Sequence, residues 1–541
     1  MINRISITAI VLLITFSWGI AQQKSFTNGS LGNELTPYGK IALAASKTTI
    51  HPGKPGETPY WNIAAVAFIY APAFDFKSID GATSYLYKIT SKENDKVYTF
   101  KGKHPYDALS PVWAEVPVGK FNLQVIAFKT SGDSIGVAGK GDYYRAAPFN
   151  GIYHQPVMPY DKSAEIALEK LLSKSYVQYW LTNKQPDPTY LNYCYPAKIY
   201  SALVIGAVTY ARLKPNTPEG AKAVQIAQTV ADFMLSIRYE RGSAWEYFVP
   251  TYYGKQYAPG PQAKPENNFV IMGVDAGNAF LDLYDLTKNT KYLEAAKKIA
   301  DTYVKNQMAN GSWYLFTNYK TNVPVVPNIA IPTAMLNYFD RLTIDYRVVG
   351  LAQTTKKAFD YIMENPVKTY DWSGQFEDIT PHAPYKNLSR EQACDFASYL
   401  MRHNNGDKKT IQIADDLIRF AEDQFVVWEK PRDKKPQKDG PGWIPTNWIT
   451  PCVQEQYVFW NPVTRSAGVM IQTYWDAFAA THDDIYLAKA KSIANAITIA
   501  QKEHDGDYPS YLTKYKMPLW LNGVVYPAKT LMNLEHNINH N

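Results

Sequence analysis

Hydrophobic residues recur with helical spacing along the chain from about residue 163 to residue 541. The clearest copies are residues 292–300 and 486–494, where Tyr-Leu, Ala and Ile-Ala fall on one stripe of a helix. Each copy leads into a Gly that is soon followed by an aromatic residue, at 310–313 and 505–508, a pattern typical of a helix end. The pattern predicts amphipathic helices that alternate with loops containing Gly and aromatic residues.

A helical hairpin with one apolar face cannot bury that face alone, so successive hairpins should stack on each other. An array in which the last hairpin packs against the first closes into a ring. We therefore predict a mainly α fold in which residues 151–541 form an (α/α)6 toroid of six hairpins. The predicted outer helices lie near 163–181, 219–237, 289–309, 349–364, 408–424 and 483–502. The predicted inner helices lie near 194–212, 271–287, 327–343, 389–403, 464–481 and 521–535. The long loops from outer to inner helices should open on one rim, which is where a site is expected.

Residues 24–150 follow a different pattern, in which hydrophobic and polar residues alternate. The alternation covers Phe74 and Phe76, residues 85–89 and residues 121–127, as in half-buried strands. We predict a small antiparallel β-sandwich that is similar to a fibronectin type III module. It is expected to act as a packing platform for the toroid, and the alternative is a separable carbohydrate-binding domain.

Residues 1–21 have the pattern of a cleaved secretory signal peptide. Arg4 precedes an apolar run at residues 10–14, and Ala21 ends the segment. The apolar run is shorter than the ~18 residues that a membrane span needs, and no Cys follows the cleavage point to accept a lipid. The sequence therefore predicts a secreted or periplasmic protein without a membrane span.

Composition and charge narrow the possible partners. The chain has 541 residues, 46% of them hydrophobic and 14% aromatic, which is enough for two domains with cores. The net charge is +7, but Lys and Arg are scattered and no basic run is interleaved with aromatic residues, so a nucleic acid partner is not expected. An anionic polysaccharide or oligosaccharide is the predicted partner.

The sequence gives no indication of a cofactor or metal. The three cysteines have no metal-ligand spacing, and no His pair with i, i+4 spacing occurs in the predicted toroid core. There is no Gly-rich phosphate loop after a strand and no Gly-x-Ser-x-Gly elbow. We therefore predict no metal and no cofactor, and we exclude nucleotide and serine-hydrolase chemistry.

The long loops concentrate aromatic rings, amides and carboxylates. Aromatic faces stack on the C–H faces of sugars, while amides and carboxylates bind hydroxyl groups, so the mixture suits a glycan. The candidate substrate-binding residues are Asn192, Trp245, Trp313, Trp372, Arg390, Gln456, Trp460 and Trp520. For Trp313 and Trp372, each close to a Gly, the alternative is a ring that caps the end of a hairpin. For Asp275 there are two equal alternatives: a buried partner in a helix cap, or a residue that faces the channel.

Three activities suit a glycan on this rim. Elimination at a uronic acid needs a base near the C5 proton and groups that neutralise the carboxylate. The candidate bases are Tyr193, His382 and Tyr457, with Asn192, Gln456 and Arg390 around the carboxylate. Hydrolysis needs two carboxyl groups, for which Glu377 or Asp378 would act with Glu455. The third alternative is a non-catalytic glycan-binding protein.

The hairpin repeat from about 163 to 541 resembles a known group of enzymes. Two segments contribute to the resemblance: Trp-Ser-Gly-Gln-Phe-Glu-Asp at 372–378 and Pro-Cys-Val-Gln-Glu-Gln-Tyr at 451–457. These are exported (α/α)6-toroid carbohydrate-active enzymes, which include uronate polysaccharide lyases, glucuronyl hydrolases and glucuronyl epimerases. The resemblance implies a glycan-processing enzyme. Together with the basic net charge, it leads us to predict a lyase that degrades a uronic-acid-containing polysaccharide, ulvan-type glucuronorhamnans among them. A glycoside hydrolase on the same substrates is the alternative.

Overall fold

The computed structural model describes residues 35–50, 65–254, 260–429 and 447–540. The predicted signal peptide lies outside these ranges. The helices are α1 (Pro37–Ala45), α2 (Ser110–Trp113), α3 (Tyr160–Ser173), α4 (Ser175–Asn183), α5 (Pro196–Leu213), α6 (Pro218–Ser236), α7 (Gly273–Thr287), α8 (Thr290–Asn306), α9 (Thr333–Tyr346), α10 (Ala352–Glu364), α11 (Pro366–Thr369), α12 (Glu391–Arg402), α13 (Lys408–Phe425), α14 (Thr464–Thr481), α15 (Asp484–Glu503) and α16 (Leu521–His540). The strands are β1 (Ala67–Phe68), β2 (Ser84–Ser91), β3 (Val97–Gly102), β4 (Gly119–Phe128), β5 (Ser134–Arg145), β6 (Asn267–Phe269), β7 (Phe316–Asn318), β8 (Val426–Val427) and β9 (Cys452–Val453). Within these ranges, no helix is long and apolar enough to cross a membrane.

Six helices in the described part of the chain form a closed inner ring. Helices α5, α7, α9, α12, α14 and α16 each contact the next, and α16 packs back against α5. The outer layer consists of α3 with α4, then α6, α8, α10, α13 and α15, each packed on the inner ring. The chain therefore forms the predicted (α/α)6 toroid.

The two rims of the ring differ in the length of the connections that they carry. Short turns such as 214–217 and 288–289 lead from an inner helix to the next outer helix, whereas long loops such as 184–195, 370–390 and 504–520 lead from outer to inner helices. Because successive helices run in opposite directions, all the long loops lie at the end of the ring where the inner helices begin. This end is called the loop rim below.

Glycines in left-handed conformation mark the start of three of these loops. Gly242, Gly311 and Gly506 have φ angles of +91°, +93° and +92°, which glycine adopts at no steric cost. The aromatic residues that follow are fully buried: Trp245, Trp313 and Tyr508. The Gly and aromatic pattern of the sequence is therefore a repeated conformation at the end of a hairpin.

The region before the toroid contains one five-stranded sheet, in the order β1-β5-β4-β2-β3. Strand β1 is parallel to β5, and the other pairs are antiparallel. The predicted alternation at 85–89 and 121–127 corresponds to β2 and β4. Phe74 and Phe76 lie outside the strands, although both rings pack together at 5.5 Å.

The predicted second sheet of a sandwich is absent from the described part of this region. The apolar face of the sheet is covered by α2 and the residues around it, since Leu109, Val112 and Trp113 are buried there. The Trp113 ring packs against Phe121 at 5.8 Å, and its indole N–H donates to the Ile69 carbonyl (2.8 Å). The short helix α2 and the residues around it thus lie where a second sheet was predicted.

Candidate functional site

Charged residues occupy the first turn of four inner helices at the loop rim. Lys198 lies on α5, Asp275 on α7, Glu391 on α12 and Arg465 on α14. All four are partly buried. The charges of Lys198, Glu391 and Arg465 all act on Asp275, so the four side chains converge on the mouth of the ring. Of these four, only Asp275 was predicted as a residue that faces the channel, although a charge in the first turn of an inner helix is visible in the sequence.

The cations of this cluster are held by carboxylates or hydroxyls of the protein. Lys198 Nζ lies 2.6 Å from Glu377 Oε1, and Arg465 Nη1 lies 2.5 Å from Glu391 Oε1. Although burial favours its neutral form, the charges of Arg465 and Arg390 hold the pKa of Glu391 below its usual value. The first pair joins α5 to the loop at 370–390, and the second joins the first turns of α12 and α14.

Glu377 and Asp378 are adjacent in sequence but differ in environment. The side chain of Glu377 is 1% exposed, and its Oε2 atom accepts no hydrogen bond from the described protein. Burial raises the pKa of Glu377, the charge of Lys198 opposes this effect, and the charge of Asp378 adds to it. Asp378 is exposed, and the Tyr252 hydroxyl fixes the preceding backbone by donating to the Glu377 carbonyl (2.6 Å). The backbone therefore presents the Asp378 carboxylate to the cleft.

Glu455 provides a third carboxyl group, from a different loop. Its side chain is partly buried, and burial raises its pKa to about 7; the charge of Arg390 opposes this shift and that of Asp378 reinforces it. The loop is held in place because the Ser389 hydroxyl donates to the Glu455 carbonyl and the Glu455 N–H donates to the Asn461 carbonyl (both 3.1 Å). A carboxyl group whose pKa is raised towards neutrality thus interacts with the exposed Asp378.

The cluster as a whole carries more acids than bases. Burial also raises the pKa of Asp275 and of Asp395 to about 7. The groups that interact in the described residues include the carboxyl groups of Asp275, Glu377, Asp378, Glu391, Asp395 and Glu455 and the cations Lys198, Arg390, Arg402 and Arg465. Because burial raises the pKa of Asp275, Glu377, Asp395 and Glu455, these four groups do not each contribute a full negative charge near neutral pH.

The structure brings several of the predicted site residues to this rim. Glu377, Asp378 and Glu455 interact with one another or with the same cations. Asn192 and Tyr193 are partly buried on the loop that precedes α5. These residues form the part of the predicted site that the structure keeps together.

His382 and two of the predicted tryptophans also lie on the loops of this rim. His382 is exposed, and its carbonyl accepts a hydrogen bond from Asn328 (3.1 Å). Trp460 and Trp520 are partly buried. Trp460 packs on Phe425 and Tyr457, whereas Trp520 packs on Tyr511.

Tyr457 is not placed to act as a base. It is fully buried, its hydroxyl donates to Gln424 Oε1 (2.7 Å), and its ring packs against Phe425 and Trp460. Burial holds the pKa of its phenol well above the usual value. A substrate C5 proton cannot reach this oxygen, so the prediction that Tyr457 faces the cleft is wrong.

Three predicted substrate-binding tryptophans belong to the core. Trp245, Trp313 and Trp372 are all 0% exposed. The Trp313 indole N–H donates to the Tyr303 carbonyl (2.9 Å), and its ring packs between Tyr303 and Phe339. The rings fill the end of each hairpin, as the alternative interpretation predicted for Trp313 and Trp372. The assignment of all three to sugar stacking is therefore corrected.

Arg390 and Gln456 are likewise inaccessible to a substrate. Arg390 is 0% exposed and donates to the Ser466 hydroxyl (2.5 Å), and Gln456 is 1% exposed. Both were predicted to lie around a substrate carboxylate, because loop position alone does not reveal which side chains turn inward. No group of His, Cys, Asp and Glu suited to a metal ion occurs among the residues that the structure describes.

Comparisons with known proteins found structural similarity only. No family model and no curated protein matches the chain. A family 76 glycoside hydrolase from a bovine Bacteroides thetaiotaomicron strain is 9% identical, with 84% of this chain and 93% of that chain covered and a TM-score of 0.47. A cellobiose 2-epimerase from Spirochaeta thermophila is 12% identical, over 70% of this chain and 98% of that chain, with a TM-score of 0.48. An unsaturated glucuronyl hydrolase specific for heparin is 11% identical, with 71% of this chain and 98% of that chain covered and a TM-score of 0.44.

Proposed function

We propose that this protein is a glycoside hydrolase in which Glu455 is the general acid and Asp378 is its carboxylate partner. The observation that carries the proposal is the contrast between the two groups, since Glu455 has a pKa raised to about 7 while Asp378 is exposed. Hydrolysis of a glycosidic bond uses such a pair, one carboxyl group protonated and the other ionised. Glu455 would protonate the leaving oxygen, and Asp378 would activate water or attack the anomeric carbon.

Glu377 and Lys198 would position the reacting groups. Their ion pair and the Tyr252 hydrogen bond fix the backbone on which Asp378 is carried. Because the Glu377 side chain is 1% exposed, it acts on Asp378 through the backbone and does not contact the sugar.

The surroundings favour hydrolysis over the β-elimination that the sequence suggested. Elimination requires a cation or amide that can neutralise the uronate, whereas Lys198 and Arg465 are engaged by carboxylates. Of the groups predicted around the carboxylate, Arg390 and Gln456 are buried, which leaves Asn192. Among the predicted bases, Tyr457 is buried, which leaves Tyr193 and His382 for a lyase that acts on a uronate or ulvan-type polymer.

The lack of an available cation also bears on the substrate. A uronate in the cleft would approach the charge of Asp378 without a cation to neutralise it, because Lys198 and Arg465 are paired with carboxylates and Arg390 is buried. Like charges at close range raise the free energy of binding unless they are neutralised. We therefore propose an uncharged sugar unit between Glu455 and Asp378.

The test is to incubate the purified protein with neutral and uronate-bearing polysaccharides and to follow two signals. Hydrolysis releases reducing ends without the ultraviolet absorbance of a conjugated unsaturated uronate, whereas elimination produces both. We expect reducing ends from a neutral glycan, lost in Asp378→Asn and Glu455→Gln. Asp360→Asn and Glu364→Gln are matched controls, since both side chains are exposed on the outer helix α10. Absorbance that survives in both site variants would establish the lyase instead.

A further inference from the structure

A small apolar cluster lies on the loop rim, separate from the main hydrophobic core. It consists of buried Val463 and Tyr511 with partly buried Phe459, Met517 and Trp520. The Tyr511 ring packs edge-on against Trp520 at 5.0 Å and against Phe459 at 6.3 Å. Two loops that precede inner helices thus join to form one aromatic surface.

This cluster adjoins the proposed catalytic carboxyl groups. Burial, together with the negative charges of Glu455 and Asp378, raises the pKa of the Tyr511 phenol, so its hydroxyl lies within the field of both carboxyl groups. Phe459 is four residues beyond Glu455 on the same loop. Tyr511 therefore connects the reacting groups on one side with Phe459 and Trp520 on the other.

The backbone on both sides of Trp520 is firmly held. The Trp520 N–H donates to the Ser510 hydroxyl (2.7 Å), and the Leu521 N–H donates to the Tyr190 hydroxyl (2.9 Å). The Tyr190 hydroxyl in turn donates to the Leu519 carbonyl (3.3 Å). A ring that is fixed before the ligand arrives loses little conformational entropy on binding.

The loop that carries Glu455 and Phe459 contains a strained residue. Val458 has a φ of +71°, a conformation that is costly for a β-branched side chain, and it is 43% exposed. Strain of this kind persists where the surrounding structure imposes it and is concentrated at functional sites. Val458 lies between Glu455 and Phe459 on this loop.

We propose that Phe459, Tyr511, Met517 and Trp520 form a sugar-stacking subsite next to the carboxyl pair. Its ligand is an uncharged pyranose unit that adjoins the unit undergoing cleavage, so this proposal rests on the proposed function. The C–H face of a pyranose packs against an aromatic face, and Trp520 and Phe459 are the partly exposed rings of the cluster. The apolar surface on this rim is thereby explained as a binding surface that extends the cleft along the glycan.

The proposal is tested with Trp520→Leu, which keeps an apolar side chain but removes the ring, and with Trp520→Phe. Tyr515→Leu is the control, since Tyr515 lies on the same loop, is 49% exposed and is outside the cluster. The probes are the hexasaccharides of β-1,4-glucose, β-1,4-xylose and α-1,6-mannose, with hexagalacturonate as the charged comparison. Kinetics are measured with these variants, and binding is measured by calorimetry in an Asp378→Asn background.

We expect Trp520→Leu to raise KM and Kd for a neutral hexasaccharide about tenfold, while kcat changes by no more than about twofold. Trp520→Phe should recover most of the affinity, and Tyr515→Leu should match the parent. Circular dichroism and the melting temperature show whether each variant is folded, and Phe459→Leu provides a second test of the same surface.

The outcomes separate the two proposals. If the parent cleaves a neutral glycan and neither Trp520→Leu nor Phe459→Leu alters KM or Kd, the subsite is wrong and the hydrolase proposal stands. If a neutral hexasaccharide binds but is not cleaved, and Trp520→Leu abolishes binding, the subsite stands and the hydrolase proposal fails. If none of the probes binds or is cleaved, both are wrong.

Discussion

At the scale of single residues, the proposed chemistry depends on the protonation of Glu455. Its pKa of about 7 means that the general acid loses its proton as the pH rises through neutrality. We therefore expect kcat/KM to fall above about pH 7. Glu455→Gln should lower turnover by about 10²-fold or more, because general acid catalysis contributes at least that much.

The pH–rate profile distinguishes a lost acid from a general disturbance. The residual activity of Glu455→Gln should no longer fall above about pH 7, since the group that titrates there has been removed. Glu364→Gln, an exposed substitution on α10, should keep the profile of the parent. A Glu455→Gln profile that still falls near pH 7 would assign the acid to another group.

The Lys198–Glu377 pair permits a second prediction at this scale. Glu377 is 1% exposed and Lys198 is 18% exposed, so removing Lys198 leaves a buried carboxylate without its cation. Breaking a buried pair on one side costs about 3–5 kcal/mol, whereas removing both charges costs much less. Lys198→Met should therefore destabilise the protein more than Lys198→Met/Glu377→Gln does.

This comparison is made by urea unfolding of the parent, both single variants and the double variant. A positive coupling between the two sites is expected, because each charge compensates the other in the folded state. The exposed pair Lys356 and Asp360 on α10 is the control and should show a coupling below about 1 kcal/mol. Additive effects at Lys198 and Glu377 would contradict the structural role of the pair.

At the scale of helices and loops, the apolar stripes predicted the toroid closely, and the deviations have local causes. Helix α14 spans Thr464–Thr481, as predicted from its stripe. Helix α9 begins at Thr333 and not near 327, because Pro332 restricts the residue before it and cannot donate within a helix. The outer helix predicted at 163–181 is divided at Lys174, whose ψ of 143° is extended. The apolar stripe continues across this break and therefore could not reveal it.

The candidate site was less predictable, because loop sequences do not show which side chains are covered. Glu377, Asp378 and Glu455 were identified as loop carboxyl groups, and the structure gives them interacting charges. Trp313 has the same sequence features as a sugar-binding ring, yet Tyr303 and Phe339 enclose it. Only tertiary packing distinguishes these cases.

The left-handed glycines yield a matched prediction about the loops. Gly311 and Gly242 have φ angles of +93° and +91°, so alanine is strained to a similar degree at both. A Cβ at Gly311 would lie 2.2 Å from the Lys357 carbonyl oxygen, whereas a Cβ at Gly242 would have no atom within 4 Å. Gly311→Ala should therefore lower the melting temperature by several degrees more than Gly242→Ala. Equal losses at both sites would show that the conformation, and not the close approach of α10, determines the need for glycine.

At the scale of the whole molecule, the sheet region is joined to the toroid through buried polar contacts. Asp423 on α13 accepts hydrogen bonds from the backbone N–H groups of Ile69 (2.6 Å) and Tyr70 (2.8 Å). The next layer is aromatic, since Phe149 packs against Trp428 at 4.7 Å. Contacts of this kind support the prediction that the first domain is a packing platform and not a separable lectin.

Asp423 also makes the strength of this junction depend on pH. Burial raises its pKa to about 7, above the ordinary value near 3.8, although the bonds from Tyr70, Gln424 and Ile69 oppose the shift. The folded protein therefore holds this proton more tightly than the unfolded chain does. The stabilisation from that proton is complete below about pH 4 and is lost as the pH rises through about 7.

Two substitutions at Asp423 separate its charge from its hydrogen bonds. Asp423→Asn keeps an acceptor for the Ile69 and Tyr70 N–H groups, loses only the acceptor that Gln424 uses, and no longer titrates. Asp423→Ala leaves two buried N–H groups unsatisfied, at a cost of about 1–3 kcal/mol each. We expect Asp423→Ala to melt well below the parent at every pH, whereas Asp423→Asn should gain relative to the parent as the pH rises from 5 to 8. If Asp423→Ala melts at the same temperature as the parent, other contacts hold the two domains together. Two unsatisfied N–H groups would lower the melting temperature if this junction contributed to the stability of the protein.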